Sequence, residues 1–255
     1  MSVEWKKIEA AIWRRNKNQL RPVKSIDPIK LSELLGIEHQ KEQLAQNTRR
    51  FIAGYPANNA LLWGARGTGK SSLVKAILNE YKSQGLRLIE VNKSDLHELP
   101  EIVDELRDLT YRFIVYCDDF SFEANESAYV GLKTILEGSI EQPPENILLY
   151  ATSNRRHLMP EYMQDNLDTQ LIDGELHYSD TVEEKISLSD RFGLWLSFHP
   201  GNMDAYLAIV DSLFADYQGN RAELHETARM FSMSRASKSG RTAKQFYKYF
   251  SSVDI

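Results

Sequence analysis

"ALLWGARGTGKSS", residues 60–72, decides how the rest of the chain is read. Four apolar residues run into a glycine-rich turn in which Gly64, Gly69, Lys70 and Ser71 fill every fixed position of the pattern GxxxxGK[ST]. The apolar run predicts a buried strand. The residues after Lys70 predict a helix with Leu73, Ile77 and Tyr81 on one face. Between the two, glycines let the backbone bend until successive N–H groups converge, and the helix turns its positive N-terminal end toward the same point. Gly64, Ala65, Arg66, Gly67 and Thr68, continued by Gly69, Lys70, Ser71 and Ser72, are therefore the expected phosphate-binding loop of a nucleotide site. Lys70 is expected on the β- and γ-phosphates and the Ser71 hydroxyl on Mg²⁺.

Outward from this loop, short apolar runs alternate with helical stretches. "LRLIEV" (86–91), "RFIVYC" (112–117), "NILLYAT" (146–152) and "LWLSF" (194–198) are each almost continuously apolar, as strands buried on both faces must be. Tyr129, Leu132 and Leu136 share one face of an intervening helix. Such alternation predicts an α/β fold, a parallel five-stranded sheet with right-handed crossovers and helices on both sides. After Pro200 and Gly201 the pattern is helical only, over 203–217, 220–236 and 240–252. Upstream, Trp5, Ile8, Ile12 and Trp13 recur at helical spacing and predict an amphipathic helix over 3–16, followed by the proline-bounded linker "RPVKSIDP" at 21–28. A longer helix carries Leu44, Thr48, Phe51 and Ile52. The expected organisation is an N-terminal helix and linker (1–33), a nucleotide-binding domain (34–200) and a helical lid (201–255).

The third strand carries the next chemistry. "FIVYCDDF" (113–120) puts two carboxylates at the C-terminal end of a buried strand, where ligands bind in open α/β sheets. Asp118 is expected to hold Mg²⁺ through water. Asp119 is the candidate to orient or deprotonate an attacking water, with Glu123 nearby as a substitute.

Composition narrows the field. The 255 residues carry 31 Lys and Arg against 36 Asp and Glu, a net charge of −5, so any basic surface is local. The single cysteine, Cys117, excludes an internal disulfide and reads as packing in the third strand. The six histidines show no ligand spacing, so no metal beyond Mg²⁺ is expected. Charged residues interrupt the N-terminal segment, and no apolar stretch approaches membrane-spanning length, which predicts a soluble cytoplasmic protein without a membrane partner.

Taken together, "GARGTGKSSLVKA", "RFIVYCDDFSFE", "YATSNRRHL" and "LSDRFGL" resemble the AAA+ ATPases from about Leu34 to Phe250, and within them an uncharacterised family of predicted bacterial AAA+ ATP-binding proteins. The resemblance implies a strand order of 5-1-4-3-2. It implies that Gly36 and Ile37 of "ELLGIEHQ" lie beside the adenine, that Asn154 of "ATSN" is the sensor 1 residue facing the γ-phosphate, and that Arg191 of "SLSDRFGL" is an arginine finger acting on the neighbouring subunit's ATP. Arg241 of "SGRTAKQF" matches sensor 2 in the lid. ATP and ADP with Mg²⁺ would be the ligands, and a homo-oligomeric ring or arc the assembly. One departure is Asp118-Asp119 where most AAA+ proteins have Asp-Glu.

The expected function is Mg-dependent ATP hydrolysis coupled to remodelling or loading of a macromolecular client, a protein among them. Three other readings stay open. A small-molecule kinase would share the loop and the Asp-ended strand. A switch or scaffold would bind ATP with little hydrolysis. A nucleic-acid-directed ATPase of helicase-loader type would use the basic stretch Arg229, Arg235, Lys238, Arg241, Lys244 and Lys248, interleaved with Phe246, Tyr247, Tyr249 and Phe250. The polar segment 159–185 is expected to be a loop.

Overall fold

Backbone pairing joins seven strands into one sheet in the computed structural model, which describes residues 3–120, 132, 136, 142–154, 170–172, 175–177 and 190–251. The described elements run β1 (Ala10–Arg14), β2 (Gln19–Pro22), α1 (Glu38–Ile52), β3 (Ala60–Gly64), α2 (Lys70–Tyr81), β4 (Leu86–Glu90), α3 (Leu99–Leu106), β5 (Arg112–Cys117) and β6 (Ile147–Ser153). They continue with β7 (Gln170–Ile172), β8 (Glu175–His177), β9 (Leu194–Phe198), α4 (Met203–Leu213), α5 (Arg221–Ser234) and α6 (Gly240–Phe250).

Across the sheet the order is β2-β1-β4-β5-β6-β3-β9. The five strands expected from sequence are β3, β4, β5, β6 and β9, and they lie in the expected order with every pairing parallel. Two more strands extend the β4 edge, so the count is seven rather than five. β1 runs parallel to β4 and antiparallel to β2.

The added hairpin corrects the expectation of a helix over 3–16. Ala10, Ala11 and Trp13 are buried, a short apolar run of the same kind as the other strands. Without β1 the inner edge of β4 would expose unpaired backbone groups, and strand pairing satisfies them, beginning with the Leu88 amide donating to the Glu9 carbonyl. The rest of the segment is pinned by side chains. The Trp13 indole donates to Glu98 at 2.8 Å, Trp5 packs edge-on against Phe113, and the buried Arg87 guanidinium donates twice to the Trp5 carbonyl. The helical spacing of the apolar residues was coincidental, and the open sheet edge won.

Alternation along β5 sorts its side chains between two cores. Phe113, Val115 and Cys117 join a cluster with Trp13, Leu149 and Phe192, whereas Ile114 and Tyr116 join one with Leu44, Leu73, Ile77 and Tyr150. Leu132 and Leu136 pack on the first cluster, while Tyr129 and Glu123 lie outside the described residues. The central position of β5, covered on both faces, carries the two carboxylates to the sheet's C-terminal edge.

α4 to α6 build a separate cluster around Tyr206, Val210, Leu224 and Phe246. Each helix starts at a residue whose side chain accepts a backbone N–H, Asn202, Asn220 and Ser239 respectively, which fixes where each begins. Within the segment expected to be a loop, β7 and β8 pair as an antiparallel hairpin. Among the described residues no helix is long and apolar enough to cross a membrane.

Candidate functional site

Gly64 ends β3 at φ 132°, and a Cβ there would meet the Phe198 carbonyl oxygen at 2.0 Å, so only glycine lets β9 approach the start of the loop. The loop closes with Gly69 at φ 100°, directly before α2. The N-cap of α2 is Gly69, which has no side chain to cap the first turn and so leaves its N–H groups to the cavity. Lys70 is 6% exposed and folds back along the loop, donating to the carbonyls of Gly64 (2.8 Å) and Ala65 (2.7 Å) and to Asn154 Oδ1 (3.2 Å).

Opposite the loop, the end of β5 meets the end of β6. The Ser71 hydroxyl donates to Asp118 Oδ1 at 2.9 Å, and the Thr152 hydroxyl donates to the same oxygen. Thr152 in turn accepts the Asp119 amide at 3.1 Å. Asp119 lies in the left-handed region at φ 55°, a conformation aspartate tolerates better than most residues. This turn directs its carboxylate to Asn154, whose Nδ2 donates to it at 2.5 Å. Lys70, Asn154 and Asp119 thus form one hydrogen-bonded line from the loop to the second carboxylate.

Electrostatics match this arrangement. Burial pushes the Asp118 carboxyl up, but the hydroxyls of Thr152 and Ser71, both bonded to it, hold it below the usual carboxylate range. Burial lowers the Lys70 ammonium, against the pull of Asp118 and Asp119. The Cys117 thiol is buried and pushed up by that burial, which leaves it inert as packing. Ser71 and Asp118 present hard oxygens at hydrogen-bonding separation, the donor type Mg²⁺ takes when it keeps several waters and bridges to phosphate. The residues therefore fit that ion.

All of this opens into a cavity of about 1130 Å³. Arg66, Gly67, Thr68, Gly69, Lys70, Ser71 and Ser72 line it, together with Asp118, Asp119 and Asn154. Gly36 and Ile37 also line it, with Leu34 and Leu35, the Ile37 side chain lying against Gly69, and Arg241 of α6 lines it from the helical side. Gly64 and Ala65 do not line the cavity; they bend the loop and supply the carbonyls that hold Lys70. Arg191 is exposed, just before β9, and is not part of the lining.

Sequence reasoning passed over three residues here. Thr152 bridges Asp118 and the Asp119 backbone, and "ATSN" had drawn attention to Asn154 alone. Ser239 lies against the loop, since a Cβ on Gly67 would come within 2.8 Å of its Oγ. Tyr116 is 3% exposed and its hydroxyl faces Ser71, Asp118 and Thr152. The period of two along β5 places Tyr116 on the Asp118 side, a signal available in "YCD".

Comparisons with known proteins bear on the whole chain and on parts of it. A family model described as "Protein of unknown function (DUF815)" matches residues 6–253. Two variants of RuvB from Thermotoga maritima align over 87% of this chain and 72% of theirs, with TM-scores of 0.51 and 0.50 at 15% identity. The replication factor C large subunits of Staphylothermus marinus and Ignicoccus hospitalis are 37% and 38% identical over 76 and 77 residues. Those matches span 29% of this chain and only 17% and 16% of the relatives' lengths. The likeness to RuvB shows that the two proteins share a fold.

Proposed function

The chain belongs to the DUF815 family, and from the chemistry of its cavity we propose that it binds ATP with Mg²⁺ and hydrolyses it to ADP and phosphate. The observation that carries the reading is the line Lys70–Asn154–Asp119 running beside the Ser71–Asp118 pair. A loop that only held nucleotide would need the first part of this set. The second carboxylate, tied to an amide at the phosphate end, supplies a proton acceptor.

In the proposed reaction a water attacks the γ-phosphorus, the bond to the bridging oxygen breaks, and ADP leaves with the electron pair. Asp119 accepts the water's proton and Asn154 orients that water. Lys70 exchanges its carbonyl partners for phosphate oxygens, whose negative charge also offsets the burial that lowers its ammonium. Ser71 and, through water, Asp118 would hold Mg²⁺, which would supply charge neutralisation to the phosphates. Arg241 approaches the phosphates from α6, with 201–255 acting as a lid on the nucleotide-binding domain. Gly36 and Ile37 contact the base. Arg191, outside the cavity, serves the ATP of a neighbouring copy in a ring or arc, where its charge spreads over the equatorial oxygens.

The output acts on a macromolecular client. The nucleic-acid reading loses its main support, because Lys238, Arg241, Lys244 and Lys248 line the nucleotide cavity and Phe246 is core of the helical cluster. Phosphate release from Mg-ATP by the purified chain, absent in Lys70→Ala, tests the reading. ATP binding without release would favour the switch.

A further inference from the structure

Tyr116 stands two residues before Asp118 on β5, on the same face of the strand. It is 3% exposed, and among the described residues its hydroxyl has no hydrogen-bond partner, although Ser71, Asp118 and Thr152 all lie around it. A buried hydroxyl without a partner is a cost that phenylalanine would avoid while filling the same space. The ring already has its packing, among the cluster that contains Tyr150 and Ile114. The oxygen is therefore the part of this residue that packing leaves without a role. Its neighbours show where a partner would arrive. Asp118 Oδ1 already accepts from both Ser71 and Thr152, so those two donors are committed.

We propose that Tyr116 is a positioning residue for the metal–nucleotide complex, its hydroxyl gaining a hydrogen bond from the water shell that Mg²⁺ brings between Ser71 and Asp118. This rests on the reading of the site as one for Mg-ATP. A tyrosine hydroxyl can both donate and accept. Binding then gives a partner to the buried Tyr116 hydroxyl. Tyr116 touches neither the phosphates nor the attacking water in this scheme; it acts by holding the water that Asp118 also holds.

The substitution Tyr116→Phe separates this from packing. Three measurements are made on the full chain: thermal unfolding without ligand, ATP binding by calorimetry in EDTA, and the Mg²⁺ concentration that gives half of the gain in ATP affinity. The proposal expects unfolding at an equal or higher temperature, unchanged affinity in EDTA, and a half-point for Mg²⁺ raised about three- to tenfold, the factor of one ordinary hydrogen bond. An unchanged half-point overturns it. So does a lower unfolding temperature without ligand, which would mean that the hydroxyl has a partner in the empty protein. If the unaltered chain binds no ATP in Mg²⁺, the reading of the site itself fails and this role falls with it. If the unaltered chain binds and only the half-point comparison fails, the site reading stands alone.

Discussion

Asn154 donates its side-chain amide to the Asp119 carboxylate at 2.5 Å. Its other side-chain atom, Oδ1, accepts from Lys70, so one residue at the end of β6 ties the phosphate loop to the second carboxylate of β5. Removing that bridge should separate binding from turnover. Asn154→Ala is expected to lower kcat by about a hundredfold, the loss typical of one oriented donor at the reacting centre, while ATP affinity changes by no more than a few-fold. Steady-state turnover alongside calorimetry checks it.

Asp119→Asn keeps the size of the side chain and its bond to Asn154 through the amide oxygen–nitrogen pair, but removes the proton acceptor. ATP binding should persist and phosphate release should fall by about 10² to 10⁴. If turnover survives, the base lies elsewhere, and Glu123 is the first place to look.

Gly64→Ala adds a methyl group 2.0 Å from the Phe198 carbonyl oxygen at a backbone angle that side chains rarely adopt. Neither strand can yield without disturbing the β3–β9 pairing. Denaturant unfolding should show a loss of at least about 2 kcal/mol, in the upper part of the range for single substitutions. Full stability in this variant would mean that the two strands do not approach as described.

Arg191→Ala should bind ATP normally and turn it over slowly. Mixed with Lys70→Ala, which has an intact Arg191 and a disabled loop, it should regain activity, because each copy supplies what the other lacks. No recovery across a range of mixing ratios would remove Arg191 from the neighbouring site.

Trp13→Phe removes the indole bond to Glu98 from the N-terminal hairpin while preserving a buried ring. A loss of about 1 kcal/mol in unfolding free energy is expected. Amide exchange on the unaltered chain should show protection at Ile12 and Arg14 in the pattern of strand pairing and not that of a helix.

The phosphate loop and the five parallel strands β3, β4, β5, β6 and β9 were legible because both are encoded locally. A glycine pattern between a strand and a helix has few alternative structures, and short apolar runs bounded by turns leave little choice but buried strands. The N-terminal hairpin was not legible in that way. "AAIW" is four residues within a segment whose apolar positions also fit a helix, and what decides between them is the unpaired edge of β4, about 75 residues further along the chain. The β7–β8 hairpin had a local signal that composition obscured: in the sequence Asp-Gly stands between "LI" and "ELH", a strong short-range hairpin signal. Within the site, the sequence named the residues that carry charge or a known motif. It missed Thr152, Tyr116 and Ser239, whose roles come from neighbours on other elements, the end of β5 for the first, α2 and β6 for the second, the phosphate loop for the third.

Titrating ATP into the purified chain in a calorimeter, with Mg²⁺ present, tests the central claim most directly. Saturable binding at one site per chain is predicted, abolished in Lys70→Ala and weakened in EDTA. No heat from ATP or from any other nucleoside triphosphate would contradict the account at its root.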